Sequence, residues 1–260
     1  MLYVALAILG IVIGGIGTLI GAGGGFLLMP VLVLLYPHER PETLASISLA
    51  VVAFNAASGS FGYARQKKID YRAGWLFISL GIPGAIAGAI VTSRIPRAAF
   101  DLWLGSLLVV VAMSLLIAGS ARPLSNIDRR AGVPNAKVRG GLLSLLVGFV
   151  SSLLGIGGGI IHVPAMVYVL RFPVHLAAGT SHFVLAFTAL AGTLVHIASG
   201  EFHTGIRRTA ALAIGAIIGA QLGTHLSHRT PAAWILRVLA VALCAVGLRV
   251  VMQSLHTVAP

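Results

Sequence analysis

The chain has 260 residues, of which 58% are hydrophobic and only 9% are charged. Soluble domains contain about 25% charged residues, so this composition excludes an ordinary soluble protein and predicts an all-α polytopic membrane protein. The net charge of +12 does not indicate nucleic-acid binding, because the basic residues lie in short loops between apolar segments, where the positive-inside rule accounts for them. We expect a multi-pass protein of the bacterial plasma membrane.

Eight apolar segments follow one another along the chain. A membrane crossing needs roughly 20 apolar residues, and most of the segments have about that length. The first and the fifth are longer, and each is interrupted by a run of glycines. The segments are residues 2–36, 44–61, 75–91, 102–117, 141–170, 176–199, 209–226 and 233–251.

Each interruption has the pattern Gly-x-Gly-Gly-Gly-x4-Pro, which begins at Gly21 and again at Gly155. Glycine costs about 1 kcal/mol relative to alanine inside a helix, and proline removes a backbone donor. We therefore predict a helix break at each pattern. The pieces that follow, 26–36 and 160–170, have 11 residues each and are too short for a core about 30 Å thick, which predicts half-helices.

The two halves of the sequence match beyond the glycine runs. The segment with Phe54, Asn55 and Gly59 recurs in the second half with Phe187, Thr188 and Gly192. Gly84, Gly88, Arg94 and Pro96 recur as Gly219, Gly223, Arg229 and Pro231. Collinear matches at a nearly constant spacing indicate an internal repeat. We predict two homologous four-span membrane repeats, 1–119 and 140–260, joined by a basic inter-repeat loop at 120–139, each with a Gly-broken first segment and a half-helix.

The loop charges predict the orientation. With eight crossings, the basic loops 62–74, 118–139 and 200–208 lie on one side, which is then cytoplasmic together with both termini. If each broken segment crosses twice instead, the chain has ten crossings, the halves are inverted and the N-terminus lies outside, with nearly the same charge asymmetry. We prefer eight crossings because an 11-residue piece is too short to cross.

The glycine runs precede the half-helices and so lie at their N-termini. A helix N-terminus presents unpaired N–H groups and about half a positive charge, and glycines let the backbone form a concave nest of donors. Two such ends that face one cavity would bind an anion without a buried Arg or Lys. The alternative is that the glycines only allow close helix packing. The predicted substrate-binding glycines are Gly23, Gly24, Gly25, Gly157, Gly158 and Gly159.

Several polar side chains are further candidates for substrate binding. Ser46, Ser48, Thr180 and Ser181 lie near the starts of the helices that follow the half-helices, where N-capping is the alternative role. Asn55 and Thr188 lie within apolar spans, where such side chains usually join helices.

His162 and His182 both follow the second glycine run and are the candidates for proton coupling. An ionisable residue inside the membrane is a functional hypothesis by default, and histidine titrates near neutral pH. The six acidic residues all fall in loops or at span ends, which excludes a carboxylate relay through the membrane centre. A structural, hydrogen-bonded histidine is the alternative.

Nothing in the sequence indicates a cofactor or a metal: it contains no Walker motif and no H-E-x-x-H. The enzymatic alternative is an intramembrane serine hydrolase that uses Ser58 with His196, and a Ser–His pair of this kind requires hydrogen-bond contact. The protein is predicted not to be an enzyme. The expected partners are a small anionic substrate and the lipid bilayer. The sequence leaves open whether the protein forms a homo-oligomer.

The two glycine patterns, the Gly179-Thr180-Ser181 sequence after the second and the four-plus-four arrangement resemble the sulfite exporter TauE/SafE family. The resemblance covers residues 6–251. It implies a transmembrane transporter of sulfur-containing or organic anions, such as sulfite or sulfoacetate, that works by export, with uptake of thiosulfate or another small anion as the alternative. The first half departs from the second, because it has Ser46-Ile47-Ser48 where the second half has Gly179-Thr180-Ser181.

Overall fold

The computed structural model describes residues 1–118, 136–200, 205–227, 240–241 and 243–252. All regular secondary structure in these ranges is helical, which confirms the predicted all-α class. Six of the helices are long and apolar enough to cross a membrane. The helices are α1 (Leu2–Ile20), α2 (Gly25–Leu35), α3 (Pro41–Arg65), α4 (Tyr71–Thr92), α5 (Arg97–Ala118), α6 (Ala136–Leu154), α7 (Gly159–Tyr168), α8 (Val174–Ala198), α9 (Ile206–Leu226) and α10 (Leu243–Met252).

Both predicted helix breaks are present, and each is followed by a short helix. The glycine runs separate α1 from α2 and α6 from α7, and the two short helices have 11 and 10 residues. Gly21 ends α1 in the left-handed conformation, with φ 86°, which glycine adopts without steric cost. Of the predicted inter-repeat loop, residues 120–135 lie outside the described residues.

The outer faces of the bundle are apolar. Ile8 and Val12 on α1 and Ile214 and Ile218 on α9 are exposed, each pair four residues apart. Side chains four apart lie on the same face of a helix, so these pairs form apolar stripes on the outside of the protein. Such stripes are suited to contact with lipid.

Three helices, α1, α3 and α9, run in the same direction. The carbonyl oxygens of Ala7, Ile11 and Gly15 lie next to Gly215, Gly219 and Gly223 in that order, so α1 is parallel to α9. Helix α3 follows α9 in the same sense, since Gly205 lies against Ile47 near the start of α3 and Gly62 lies against Thr224 near the end of α9.

The helices α4, α6 and α8 run in the opposite direction. Gly59 of α3 lies against His182, whereas Gly192 lies against Leu49, so α8 is antiparallel to α3. Helix α4 is parallel to α8, because Gly74 lies against Phe183 and Gly81 against Thr188. Helix α6 is parallel to α4, because the carbonyl oxygens of Leu145 and Phe149 lie next to Gly84 and Gly88.

These directions correct the preferred eight-crossing prediction with four spans in each half. Because α1 and α3 are parallel, the chain returns between them, and α2 belongs to that return. Within the described ranges each half contains five helices, and α6 runs opposite to α1, which precedes the corresponding glycine pattern, as in the ten-crossing alternative. The length argument failed because it considered the 11-residue helix alone. The glycine run before it and the connection 36–40 after it complete the return.

The parallel pairs α1/α9 and α4/α6 pack through their backbones. A Cβ atom built on Gly215 would lie 2.0 Å from the carbonyl oxygen of Ala7, and one on Gly84 would lie 2.1 Å from that of Leu145. Small residues allow this close approach of membrane helices. Much of the glycine in this chain therefore serves helix packing, and the glycines of the two breaks form a separate group.

Candidate functional site

The two glycine breaks contact each other inside the bundle. A Cβ atom built on Gly25 would lie 2.5 Å from the carbonyl oxygen of Ile156, and one on Gly159 would lie 2.6 Å from that of Ala22. Ala22 and Ile156 hold the same place in the two glycine patterns. Each break therefore packs against the other in the same way, backbone against backbone.

This contact lies halfway along the long helices. Val52 and Leu185 are each the twelfth of the 25 residues of α3 and α8. A Cβ atom on Gly23 would lie 2.2 Å from Leu185 Cδ2, and one on Gly157 would lie 2.6 Å from Val52 Cγ1. Helices α2 and α7 thus both begin at mid-depth.

Each break depends on backbone conformations that only glycine adopts readily. A positive φ brings the Cβ of other residues too close to the backbone. In the first break φ is 86°, 77° and 77° at Gly21, Gly23 and Gly24, and in the second it is 65°, 66° and 24° at Gly155, Gly157 and Gly158. The sequence pattern therefore encodes two sharp reversals of the chain.

A small pocket, with room for about one water molecule, lies at the N-terminus of α7. We call it the second-half pocket. Its polar lining comes from one face of each of three helices, while Val147, Val184 and Leu185 supply apolar contacts. The other lining residues are Ser144, Gly148 and Ser151 on α6, Gly158, Gly159 and His162 at the start of α7, and Ser181 and Thr188 on α8.

Two side chains of this pocket have unused hydrogen-bonding capacity. Ser181 Oγ and His162 Nε2 have no hydrogen-bond partner in the described part of the chain, although Ser181 is 0% and His162 only 3% exposed. A buried polar atom without a partner costs about 1–3 kcal/mol, and most such atoms in native proteins are satisfied. The pocket is therefore suited to a polar occupant.

The equivalent pocket at the N-terminus of α2, the first-half pocket, has a more apolar lining. Leu28 lies in it where the second-half pocket has His162. Its amide side chain, Asn55, donates to Ala216 O at 3.0 Å and accepts from Thr18 Oγ1 at 3.1 Å. The lining residues are Ile13, Gly14, Gly23, Gly24, Gly25, Leu28, Val51, Val52, Asn55 and Ala216.

Three of the predicted hydroxyls lie outside both pockets. Ser46 Oγ donates to Thr43 O at 2.8 Å within α3, and Ser48 Oγ donates to the carbonyl oxygen of Gly155. Thr180 Oγ1 accepts a hydrogen bond of 2.9 Å from the backbone N–H of Asp70, at the start of α4. These hydroxyls join parts of the fold.

His182 also lies outside both pockets. Its Nδ1 is 3.2 Å from Ala178 O, its Nε2 is 3.4 Å from Thr18 Oγ1, and its ring packs against Tyr63 with 5.4 Å between the ring centroids. Tyr63 in turn donates to Thr18 O at 2.8 Å. Of the two histidines proposed from the sequence, only His162 faces a pocket.

The sequence interpretation missed Ser144 and Ser151 of α6. They are seven residues apart with Gly148 between them, and a spacing of four and then three residues places all three on one helix face. This pattern was available in the sequence. It was overlooked because these residues lie inside an apolar run and outside the glycine motif.

The Ser58–His196 pair of the enzymatic alternative does not form. Ser58 Oγ donates to Ile217 O at 3.0 Å and accepts from Gln221 Nε2 at 2.8 Å. The neighbouring Gly59 lies against His182, and His196 is about 21 Å further along α8 at 1.5 Å per residue. The Ser58–His196 pair on which the hydrolase alternative depended is therefore absent from the described residues.

Helices broken near mid-depth, in corresponding positions of two halves, characterise membrane transporters, whose sites lie where the half-helices begin. The apolar helices and the paired breaks place this chain in that class. The sequence profile described as sulfite exporter TauE/SafE matches residues 6–250, and the chain belongs to this family. The family resemblance noted from the sequence is thus confirmed.

Individual relatives are also named as membrane transporters. The chain is 30% identical to the "Probable membrane transporter protein YunE" of Bacillus subtilis, over 99% of this chain and 100% of the relative. It is 27% identical to a "Probable membrane transporter protein" of Xylella fastidiosa, over 91% and 90% of the two chains. It is also 27% identical to the "Probable membrane transporter protein MJ0441" of Methanocaldococcus jannaschii, over 76% and 73%. No solved structure matches the chain.

Proposed function

We propose that this membrane transporter exports a small sulfur-containing or organic anion, such as sulfite or sulfoacetate, and binds it in the second-half pocket. One observation carries the proposal. Two buried polar atoms without partners, Ser181 Oγ and His162 Nε2, lie in a pocket at the N-terminus of a half-helix. The family description, sulfite exporter, supports the substrate class and the direction of transport.

The chemistry of the lining favours an anion. The first N–H groups of a helix have no acceptor within the helix, and their dipoles attract negative charge. Gly158 and Gly159 open α7 and line the pocket, so a ligand can approach the backbone without a side chain in between. An anion would accept hydrogen bonds from these N–H groups and from the Ser181 hydroxyl.

The pocket has no permanently charged donor. No Lys, Arg, Asp or Glu lines the second-half pocket within the described part of the chain. A fixed buried charge would bind an anion strongly through Coulomb attraction in a medium of low dielectric constant. Neutral donors bind it through hydrogen bonds and the helix dipole, which leaves affinity low enough for release, as transport requires.

Release to either side requires a change of conformation. The pocket is enclosed by α6, α7 and α8, and the break beside it is packed against the other half. Transporters with opposed halves expose a central site by moving one unit against the other. We assign that role here to the movement of the two glycine breaks relative to each other.

The observed helix directions also change the proposed orientation. The helix ends at the face where α3 ends flank the sequence segments 62–74 and 118–139, with four and five Lys or Arg residues. The helix ends at the other face flank 37–43, 93–100 and 200–208, with one, two and two. The positive-inside rule then assigns the first face to the cytoplasm. The N-terminus, at the start of α1, lies at the other face, which this rule assigns to the outside of the cell, opposite to the expectation from eight crossings.

Binding to the purified protein tests the proposal. Sulfite, thiosulfate, sulfate, sulfoacetate and acetate would be compared by titration calorimetry with wild type, Ser181→Ala and His162→Gln. We expect each variant to weaken binding about tenfold, since a hydrogen bond to a charged group contributes about 1.5–3 kcal/mol. Ser46→Ala is the matched control, because that hydroxyl is bonded within α3 and lies outside the pocket. Unchanged affinity in both pocket variants would refute the site.

A further inference from the structure

In the second-half pocket, the protons of two hydroxyl groups are already engaged in hydrogen bonds to backbone carbonyl oxygens. Ser144 Oγ donates to the carbonyl oxygen of Phe77 on α4 at 2.6 Å, and Thr188 Oγ1 donates to Val184 O at 3.2 Å. A hydroxyl has one proton and two lone pairs, and a carbonyl oxygen can only accept. Any further hydrogen bond to these two oxygens must therefore be one that they accept.

The side chains of Ser144 and Thr188 are neighbours. A Cβ atom built on Gly81 of α4 would lie 2.9 Å from Ser144 Oγ and 2.9 Å from the methyl carbon Cγ2 of Thr188. Both side chains are buried, with 2% and 6% exposure. Both residues line the pocket, Ser144 from α6 and Thr188 from α8, and together we call them its acceptor edge.

The start of α7 supplies the contrasting edge. Its first N–H groups are donors, and Ser181 Oγ has no partner in the described residues to which its proton is committed. The pocket therefore presents donors on one edge and hydroxyl lone pairs on another. A fully ionised oxyanion has only acceptors, so at the Ser144 and Thr188 edge its oxygens would face lone pairs.

We propose that the ligand is an oxyanion that carries a hydrogen-bond donor of its own, and that Ser144 and Thr188 select it by accepting that hydrogen. Singly protonated oxyanions and sulfonates substituted with an amino or hydroxyl group belong to this class. The inference rests on the proposed anion site. It adds that the site distinguishes anions that carry a hydrogen-bond donor from anions that do not. A site built to bond a ligand hydrogen rejects analogues that lack it, because its own polar groups are then left unpaired.

Sulfamate and methanesulfonate test this selection. They share a shape and a single negative charge around neutral pH, but sulfamate has an amino group where methanesulfonate has a methyl group. We expect the wild-type protein to bind sulfamate about tenfold more tightly, as measured by titration calorimetry. Ser144→Ala and Thr188→Val should each reduce this preference to about twofold or less.

Thr193→Val is the matched control. Thr193 Oγ1 also donates back along α8, to Ala189 O at 2.8 Å, but Thr193 does not line the second-half pocket. This variant should keep the wild-type preference for sulfamate. The wild-type comparison needs no variant, so it decides the question even if a substitution impairs folding.

The outcomes separate the two proposals. If wild type binds both anions with equal affinity, or methanesulfonate more tightly, the donor-selecting edge is refuted while the anion site stands. If the preference persists in both Ser144→Ala and Thr188→Val, the selection comes from other residues and the assignment fails. If neither anion binds or competes with sulfite, the proposed anion site itself is refuted.

Discussion

Ser48 Oγ donates a hydrogen bond of 2.5 Å to the carbonyl oxygen of Gly155, and both residues are buried. A helix of the first half thereby holds the glycine break of the second half. The hydroxyl at the equivalent place in the second half belongs to Ser181, and it has no partner in the described part of the chain. The two halves thus use corresponding hydroxyls differently, one to hold a break and the other to line a pocket.

The Ser48 contact predicts a specific loss of stability. Ser48→Ala would leave the Gly155 carbonyl without this donor, and an unsatisfied buried group costs about 1–3 kcal/mol. We expect a decrease of a few degrees in the thermal unfolding temperature in detergent. Ser46→Ala, two residues away, removes a hydroxyl that bonds only within its own helix and should cause a smaller change. Equal unfolding temperatures for Ser48→Ala and wild type would contradict the structural role.

The reciprocal contact of the breaks predicts that neither tolerates even a methyl group. Gly25→Ala and Gly159→Ala would place a Cβ 2.5 and 2.6 Å from backbone atoms of the other break, and backbone cannot move aside as a flexible side chain can. We expect both variants to lose transport and to unfold at lower temperature. Since the site and the packing share these glycines, we expect substitution to affect folding as well as binding.

Gly15→Ala provides the control for this pair. Gly15 lies on α1, and its nearest contact would be 3.4 Å from an added Cβ, an ordinary van der Waals distance. This variant should be close to wild type in transport and stability. Normal transport by Gly25→Ala would show that the breaks separate easily, contrary to the close packing described above.

Local sequence signals predicted the helix breaks well, because glycine runs and proline act on the backbone within a few residues. They did not predict the helix directions. Whether α2 returns towards the face where α1 began depends on tertiary contacts such as Tyr63 with Thr18, which join residues far apart in sequence. Length alone suggested a single crossing, and the contact pattern decided otherwise.

The candidate site was predicted only in part, because it too depends on contacts between residues far apart in sequence. His162, Ser181 and Thr188 were identified from the sequence and lie together in the second-half pocket. Ser48 and Thr180 are hydroxyls of similar type and position, yet each is bonded to the backbone of another segment. Residue type and spacing indicate which hydroxyls lie inside the bundle. Only the packing shows which of them make no hydrogen bond within the described protein and can therefore bond a ligand.

The different environments of the two histidines predict different effects on proton coupling. Protonation of His162 would add a positive charge beside the bound anion, so anion and proton would each favour binding of the other. We expect affinity for a strong-acid sulfonate to increase as pH falls, and His162→Gln to flatten this dependence. His182→Gln should keep the pH dependence and lower stability, because it removes contacts with Ala178 and Thr18. An unchanged pH profile in His162→Gln would make that histidine structural.

Cysteine labelling tests the helix directions and the orientation together. After Cys244→Ser, single cysteines would replace His38, Lys67, Arg171 and Gly200, all exposed. With the observed helix directions, positions 38 and 200 lie at one face of the membrane domain and positions 67 and 171 at the other. We expect a membrane-impermeant maleimide added to intact cells to label only His38→Cys and Gly200→Cys. Eight crossings would instead pair 38 with 171. The structure already brings the two loops at this face together, through the 3.1 Å ion pair of Glu39 and Arg208. Labelling at position 38 without labelling at position 200 would therefore contradict the observed fold. Labelling at positions 67 and 171 alone would contradict only the assignment of the cytoplasmic face.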